Sequence, residues 1–248
     1  MNPRKTLPSL RALLFPPRCA ACADLLHPCS TEEEALCPLC RASWEASLAE
    51  ASGQAAEDAA RGLIYLTFYR SGHTDGVPER LVYHLKHQGD PRSFAFVAGR
   101  LAPRILCGAE VLPTRAVADT ARADARPLLF TYPPRRSSAR RRDGFDQAKR
   151  LAKALAETCG GNFATLIRRP RRPAREQKRL DAAGRAENAH LAYALIPSAA
   201  ESLQGRTVVI CDDVCTTGST LNRCAHLLVE AGAGLVILAV VARTTNEA

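Results

Sequence analysis

Apolar residues follow two rhythms along this chain. Residues 62–69 (GLIYLTFY), 127–132 (PLLFTY), 207–211 (TVVIC) and 235–241 (LVILAVV) are nearly unbroken apolar or β-branched runs. Such runs predict strands buried on both faces rather than strands with one wet side. The other rhythm is helical. Residues 78–88 open with a proline and stop before Gly89, with Leu81, Val82 and Leu85 on one face. Residues 145–158 place Ala148, Leu151, Ala152 and Leu155 at helical spacing, residues 92–106 predict a further helix, and 219–231 predict one that Gly232 ends. Strand and helix alternate, which predicts an α/β fold with an open parallel sheet covered on both sides.

Three stretches break the alternation. Residues 46–60 are alanine-rich with Gly53 and several acids, and read as an exposed helix or linker. We place the domain boundary there, with residues 1–55 as one module and 60–248 as the larger domain. Residues 133–144 (PPRRSSARRRDG) predict a loop, followed after the next helix by a short apolar stretch at 163–167. Residues 168–190 are too polar and too often interrupted by proline to be core, and predict a long loop of the kind that is usually functional or disordered. There is no internal repeat.

Composition adds a location for charge. The formal net charge is +9, yet residues 133–179 alone hold 15 Lys/Arg against 4 Asp/Glu. One segment makes the protein basic. That points to a polyanionic ligand, phosphates or nucleic acid, or else to a solvated arginine-rich loop. No apolar run approaches the roughly 20 residues of a membrane span, so no membrane insertion is expected. The basic N-terminus has its apolar stretch broken by Arg11 and leads into prolines, which argues against a signal peptide.

Four of the ten cysteines form Cys19-x-x-Cys22 and Cys37-x-x-Cys40, with 14 residues between the pairs. Two such turns converge thiolates on one tetrahedral ion, and the spacing points to structural zinc at Zn–S distances near ~2.3 Å. A small module with few apolar side chains needs that stabilisation. Cys29 lies between the pairs without a vacancy to fill. Cys107, Cys159, Cys211, Cys215 and Cys224 read as small core residues, and a reducing cytoplasm suits both groups.

The chemistry concentrates in VVICDDVCTTGST, residues 208–220. In open parallel sheets, ligands bind beyond the carboxyl ends of the strands. Gly218, the hydroxyls of Thr216, Thr217, Ser219 and Thr220, and the following helix N-terminus form a phosphate cradle. It is not a P-loop, because no Gly-Lys-Ser/Thr occurs. Asp212 and Asp213 can accept hydrogen bonds from two neighbouring sugar hydroxyls, or hold Mg²⁺. A sugar 5-phosphate with a free diol satisfies both halves.

These thirteen residues resemble the binding signature for 5-phosphoribosyl 1-diphosphate in type I phosphoribosyltransferases. The whole chain resembles the ComF family, which joins a four-cysteine zinc module to a phosphoribosyltransferase domain. The family's Arg-Gly-Phe-Asn-Gln appears as Asp143-Gly144-Phe145-Asp146-Gln147 with Arg142 ahead. Its Gln-x-x-Leu with downstream Arg and Asn appears as Gln177, Leu180, Arg185 and Asn188, and its Leu-Lys-Tyr-x-Gly-Asp as Leu85 to Asp90. Phe15-Pro16-Pro17 begins the resemblance. Thr131-Tyr132-Pro133 replaces a Pro-Val-Pro, Asp146 replaces an asparagine, and residues 107–126 look inserted. The resemblance implies a type I phosphoribosyltransferase-like open parallel sheet with a small N-terminal zinc module. Ribose and 5-phosphate would sit on residues 212–220, with Asp212 and Asp213 catalytic. The diphosphate would meet Arg135, Arg136, Arg140, Arg141, Arg142, Gly144 and Gln147, beside a flexible loop carrying Gln177, Leu180, Arg185 and Asn188. It also implies Mg²⁺ with the substrate and a link to natural competence, with single-stranded DNA and a competence-machinery protein as partners. A nucleic-acid-binding or regulatory module that keeps the sugar-phosphate site without turnover fits the same residues.

Overall fold

The computed structural model describes residues 15–27, 34–112, 126–170 and 192–245. Its first regular element is α1 (Pro38–Ala59), which starts with proline at its first turn directly after Cys37. Where an exposed helix or linker was expected at 46–60, there is one continuous 22-residue helix with Trp44 and Ala51 fully buried. Gly53, the expected breaker, sits in open space and costs only propensity.

Strands β1 (Leu63–Ile64) and β2 (Thr67–Tyr69) follow, then α2 (Val77–His87) and α3 (Pro91–Val111). Asp90 caps α3 by accepting from the Arg92 and Ser93 amides. This helix runs past the predicted end at 106, so the start of the inserted-looking segment is helical. Cys107, expected in the core, is exposed on it. Next come β3 (Leu129–Thr131), α4 (Ser137–Asp143), α5 (Gln147–Thr158), β4 (Asn162–Phe163) and β5 (Ile167–Arg168). Helix α4 lies inside the stretch predicted as loop. Its residues are ordinary helix formers, and Gly144 ends it in the left-handed region at φ 76°. The chain continues through β6 (Ala194–Leu195), α6 (Ala200–Leu203), β7 (Thr207–Cys215), α7 (Ser219–Glu230) and β8 (Leu235–Thr244).

The main sheet runs β1-β8-β7-β3-β4, with β2 continuing along β8, and every pairing in it is parallel. The predicted α/β fold with a parallel sheet is the one observed. Strand residues alternate between two cores, as the continuous apolar runs require. Val209, Cys211, Ile237, Ala239 and Val241 pack with Leu85, Phe96, Leu101, Leu151 and Leu155 of α2, α3 and α5. On the other face, Val208, Ile210 and Val240 pack with Leu221, Cys224 and Leu228 of α7 and with Ala51 and Ala55 of α1. Each fully buried aliphatic side chain contributes about 1.5–3 kcal/mol. The first core also contains Cys19, Leu36, Cys40 and Trp44, so the cysteine knuckle is continuous with it. Among the described residues no helix is long and apolar enough to cross a membrane.

Strand order positions the site. From β3 the chain moves outward to β4, whereas from β7 it moves the opposite way to β8, and β3 and β7 are neighbours. That reversal opens a crevice beyond their carboxyl ends, where ligands bind in this architecture.

Candidate functional site

The cradle forms one wall of the crevice. Gly218 adopts φ 72° as the residue before α7. A side chain there would have room, its nearest neighbour being Asn222 Nδ2 at 3.5 Å, so the backbone conformation rather than crowding demands glycine. The first intrahelical bond is from the Asn222 amide to the Gly218 carbonyl, 2.8 Å. Amides ahead of it lie at the open, positive end of the helix. Thr217 Oγ1 and Ser219 Oγ share a hydrogen bond of 2.8 Å, and both residues are exposed with Thr216. Thr216, Thr217, Gly218, Ser219 and Thr220 thus occupy one turn, as their sequence spacing predicted.

The aspartates lie in the strand, not in a loop after it. Pairing with β8 continues to Cys215 opposite Arg243, well past the predicted end at Cys211. A carboxylate tolerates that position because it has partners. Asp213, 7% exposed, accepts from Gln147 Nε2 at 3.2 Å and from the Val214 amide at 2.7 Å, with Lys86 Nζ at 3.6 Å. Asp212 accepts from the Asp213 amide, at 2.9 Å. Burial, and then the charge of Asp213, push the Asp212 carboxyl well above the usual carboxylate range, with Lys86 pulling the other way. One aspartate is thus anchored and the other is left needing donors.

The opposite wall is the chain between β3 and α5. Tyr132 is buried and stacks on Phe163 with ring centroids 6.1 Å apart. Asp146, in place of asparagine, caps α5 by accepting from the Lys149 amide and also accepts from the Arg135 amide at 3.1 Å. Asp143 gathers nitrogen partners: Arg135 NH1 at 2.8 Å, Arg142 Nε at 3.0 Å and His87 Nδ1 at 3.5 Å. Of the predicted basic set, then, Gln147 reaches the aspartates and Arg135 and Arg142 converge on Asp143. Arg136, Arg140 and Arg141 are exposed along α4 and touch no described cradle residue. Gly144 serves as the turn that ends α4. Gln177, Leu180, Arg185 and Asn188 lie outside the described residues.

Four residues of the crevice walls escaped sequence reasoning. Lys86 was visible only as part of the Leu85–Asp90 resemblance, which assigns it no role. Asp143 was a motif position with no stated partner. Arg169 falls in the stretch expected as a long polar loop, and Tyr193 carried no signal. Arg169 Nε donates to the Pro134 carbonyl at 2.7 Å, its NH2 bonds the Tyr193 hydroxyl, and its guanidinium lies 4.3 Å from the Tyr193 ring centre.

At the N-terminal end, the sulfurs of Cys19, Cys22, Cys37 and Cys40 all lie within 4.8 Å of one another. Cys22 and Cys37 are 3.7 Å apart, and the Cys37 amide donates to Cys19 Sγ at 3.3 Å. Tetrahedral ligation at about 2.3 Å puts sulfurs slightly under 4 Å apart, so this donor set fits zinc. Burial opposes ionising Cys19, but backbone amides of Cys22, Cys37 and Ala21 outweigh it and bring that thiol down to about 7. Cys29 lies outside the described residues.

Residues 141–247 match the phosphoribosyl transferase domain family. Over 46 residues the chain is 54% identical to the adenine phosphoribosyltransferase of Nocardia farcinica (strain IFM 10152), a match that takes in 18% of this chain and 24% of that protein. Among solved structures, the allosteric regulatory enzyme of purine biosynthesis aligns at 17% identity and TM-score 0.37, over 64% of this chain and 30% of that one. Glutamine phosphoribosylpyrophosphate amidotransferase from B. subtilis, complexed with ADP and GMP, aligns at 16% identity and TM-score 0.38, over 64% and 30%. A protein from Thermus thermophilus aligns at 16% identity and TM-score 0.31, over 64% and 84%. The chain thus spans about a quarter of the curated relative and under a third of the first two structures. The domain match, on a parallel α/β sheet, supports a protein of the phosphoribosyltransferase type.

Proposed function

We propose that this chain binds 5-phosphoribosyl 1-diphosphate with Mg²⁺ in the β3–β7 crevice, as a member of the ComF family with structural zinc on Cys19, Cys22, Cys37 and Cys40. The observation that carries the reading is the union, at the sheet's switch point, of an acceptor-rich aspartate pair with a helix-terminal hydroxyl cradle. The 5-phosphate would take the amides and hydroxyls of residues 216–220. Asp212, short of donors, would accept from the ribose hydroxyls, which relieves the cost of its burial. Asp213, held by Lys86 and Gln147, fixes where Asp212 points and adds negative potential. As diphosphate leaves, C1 of the ribose gains positive charge that this potential stabilises, while the arginine wall favours the departing anion. Magnesium brought in with the substrate, which Asp212 and Asp213 could help to hold, would supply Lewis-acid neutralisation of the diphosphate.

A second reading rests on a specific observation. Arg136, Arg140, Arg141 and Arg168 are all exposed, a surface suited to single-stranded DNA and to a role in natural competence with a competence-machinery protein partner. The free thiols of the core suit a reducing cytoplasm.

Calorimetric titration tests the two together. Wild type should bind the sugar diphosphate with Mg²⁺, and Asp212→Asn with Asp213→Asn should abolish it while single-stranded DNA binding is kept or rises. DNA affinity should fall steeply with salt, with a slope of about −0.7 per phosphate contacted. Equal loss of both ligands would mean one shared site, and no sugar diphosphate binding at millimolar concentration would defeat the first reading.

A further inference from the structure

Helix α1 turns an acid inward. Trp44, Ala51, Ala55 and Asp58 recur at helical spacing on its buried stripe, and Asp58 is 5% exposed where that pattern calls for an apolar residue. The carboxylate has partners from two other elements. The Tyr65 hydroxyl, in the link between β1 and β2, donates to Asp58 Oδ2 at 3.0 Å, and Arg243 NH1, near the end of β8, bonds the same oxygen. Burial, and then the hydrogen bond and charge of Asp58, push the Tyr65 hydroxyl up to about 12, so it remains a donor. Replacing such a group by apolar side chains is often neutral or stabilising, so stability alone does not account for it. What it fixes is geometry, and that geometry belongs to the cradle. Arg243 stands opposite Phe68 of β2 on one side and Cys215 of β7 on the other. Cys215 is the last residue before Thr216, and its buried sulfur lies under the turn: a Cβ on Gly218 would meet Cys215 Sγ at 3.6 Å. Burial pushes the Cys215 thiol up, and the charge of Arg243 pulls it back.

We infer that Asp58, Tyr65 and Arg243 are positioning residues for the cradle, and that through them the cysteine knuckle and the cradle are coupled sites. The assignment rests on the reading of residues 216–220 proposed above. Helix α1 begins directly after Cys37, and Asp58 lies in its last turn. A metal that orders the four thiols anchors one end of this helix and so sets where the carboxylate stands at the other. Arg243 passes that placement to the strand end from which the cradle springs. By linkage, phosphate in the cradle must tighten the hold of the knuckle on its metal by the same factor.

Two probes separate this role from a merely structural one: ribose 5-phosphate and inorganic diphosphate, each titrated into the full chain reconstituted with zinc. Asp58→Asn should weaken ribose 5-phosphate by about fivefold to thirtyfold, the range of couplings carried by packed side-chain networks, and leave inorganic diphosphate within about twofold. Asp58→Asn also leaves Arg243 without its acid. If that variant does not fold, the triple variant Asp58→Leu, Tyr65→Phe and Arg243→Met removes the polar groups together. It should keep the thermal midpoint of wild type and show the same split between probes. Equal weakening of both probes in a folded variant, or of neither, would overturn the assignment. The reciprocal measurement needs only wild type. With free zinc buffered by a chromophoric chelator at equilibrium, saturating ribose 5-phosphate should raise zinc affinity about fivefold to thirtyfold, and inorganic diphosphate should not. A gain with both ligands alike would mean that each acts through overall stability, and a gain with neither would mean that the two sites are independent; either result overturns the inference. A wild type that binds no ribose 5-phosphate would sink the reading of the cradle, and the assignment with it.

Discussion

The four-thiol knuckle and the β3–β7 crevice both form where distant segments converge, but they are completed differently. In the knuckle each donor faces the other three, all within 4.8 Å, and Cys19 and Cys40 are buried in the main core. One ion satisfies everything present. The crevice is left unfinished. Among the described residues, Asp212 is half-buried beside a second carboxylate, Gln147 Oε1 is buried without a partner, and Arg169 is half-buried with a carbonyl and a hydroxyl as its hydrogen-bond partners. A site that exists for stability saturates its own groups. A site that exists for a ligand keeps groups whose cost only the ligand removes.

The largest effect should come from breaking the first of these sites. Zinc binding in small modules is worth about 10–16 kcal/mol, comparable with the whole stability of a domain at about 5–15 kcal/mol. Cys37 is both one of the four clustered thiols and the residue before α1, whose Trp44 packs on Phe96 with ring centroids 6.1 Å apart. Cys37→Ser, or stripping with a strong chelator, should therefore abolish the cooperative thermal transition seen by circular dichroism, and ligand binding with it. Retention of ligand binding by metal-free protein would show that knuckle and crevice are energetically independent despite their shared core.

A smaller effect of opposite sign should follow in the crevice. Asp212→Asn removes a carboxyl whose ionisation both desolvation and Asp213 oppose, so it should raise the melting midpoint while eliminating sugar diphosphate binding. For a chain of this length each 1 kcal/mol corresponds to about 2–4 °C. The pH dependence gives an internal check. The folded pKa of Asp212 lies above its unfolded value of 3.8, so the folded state holds the proton more tightly. Stability of wild type relative to Asp212→Asn should accordingly fall as pH rises from about 4 toward the folded pKa. A wild type that gains stability over the variant across that range would show that Asp212 is satisfied already, and the contrast with the knuckle would collapse.

What could be read from sequence follows the same division. The knuckle was legible because metal geometry forces a spacing, and two CxxC turns leave few alternatives. The parallel sheet and the cradle were legible because unbroken apolar runs and a Thr-Thr-Gly-Ser turn are local signals. Strand β7 was cut short at Cys211 because two aspartates ordinarily end a strand. The partners that keep Asp213 inside it, Lys86 and Gln147, come from helices far away in sequence. The burial of helix α1, expected as an exposed helix or linker, was hidden by alanine: Ala51 and Ala55 are core residues without a hydrophobic signature. Arg169 was lost in a run of like residues, where only the fold separates the arginine that faces inward.

The smallest effect should come from Asp143, where the crevice most nearly imitates the saturation of the knuckle. Its side chain is 5% exposed and is met by Arg135, Arg142 and His87. Hydrogen bonds from Arg142, against the opposing cost of burial, and then the charges of Arg142 and Arg135 pull the carboxyl down to about 2. Because the folded value lies below the unfolded 3.8, the stabilisation is complete above about pH 4 and is lost as pH falls toward 2. Asp143→Asn should thus flatten the acid limb of the stability curve while changing the neutral midpoint less than Asp212→Asn does. Of the arginines it releases, Arg142 is 68% exposed, where ion pairs are screened and contribute little. Their freedom should show instead as weaker sugar diphosphate binding with ribose 5-phosphate binding unchanged, since Asp143 orders the wall that faces the diphosphate and not the cradle. An acid limb identical to that of wild type would mean that the Arg135–Asp143–Arg142 cluster is ordered by its backbone alone, through Asp146 and the Gly144 turn.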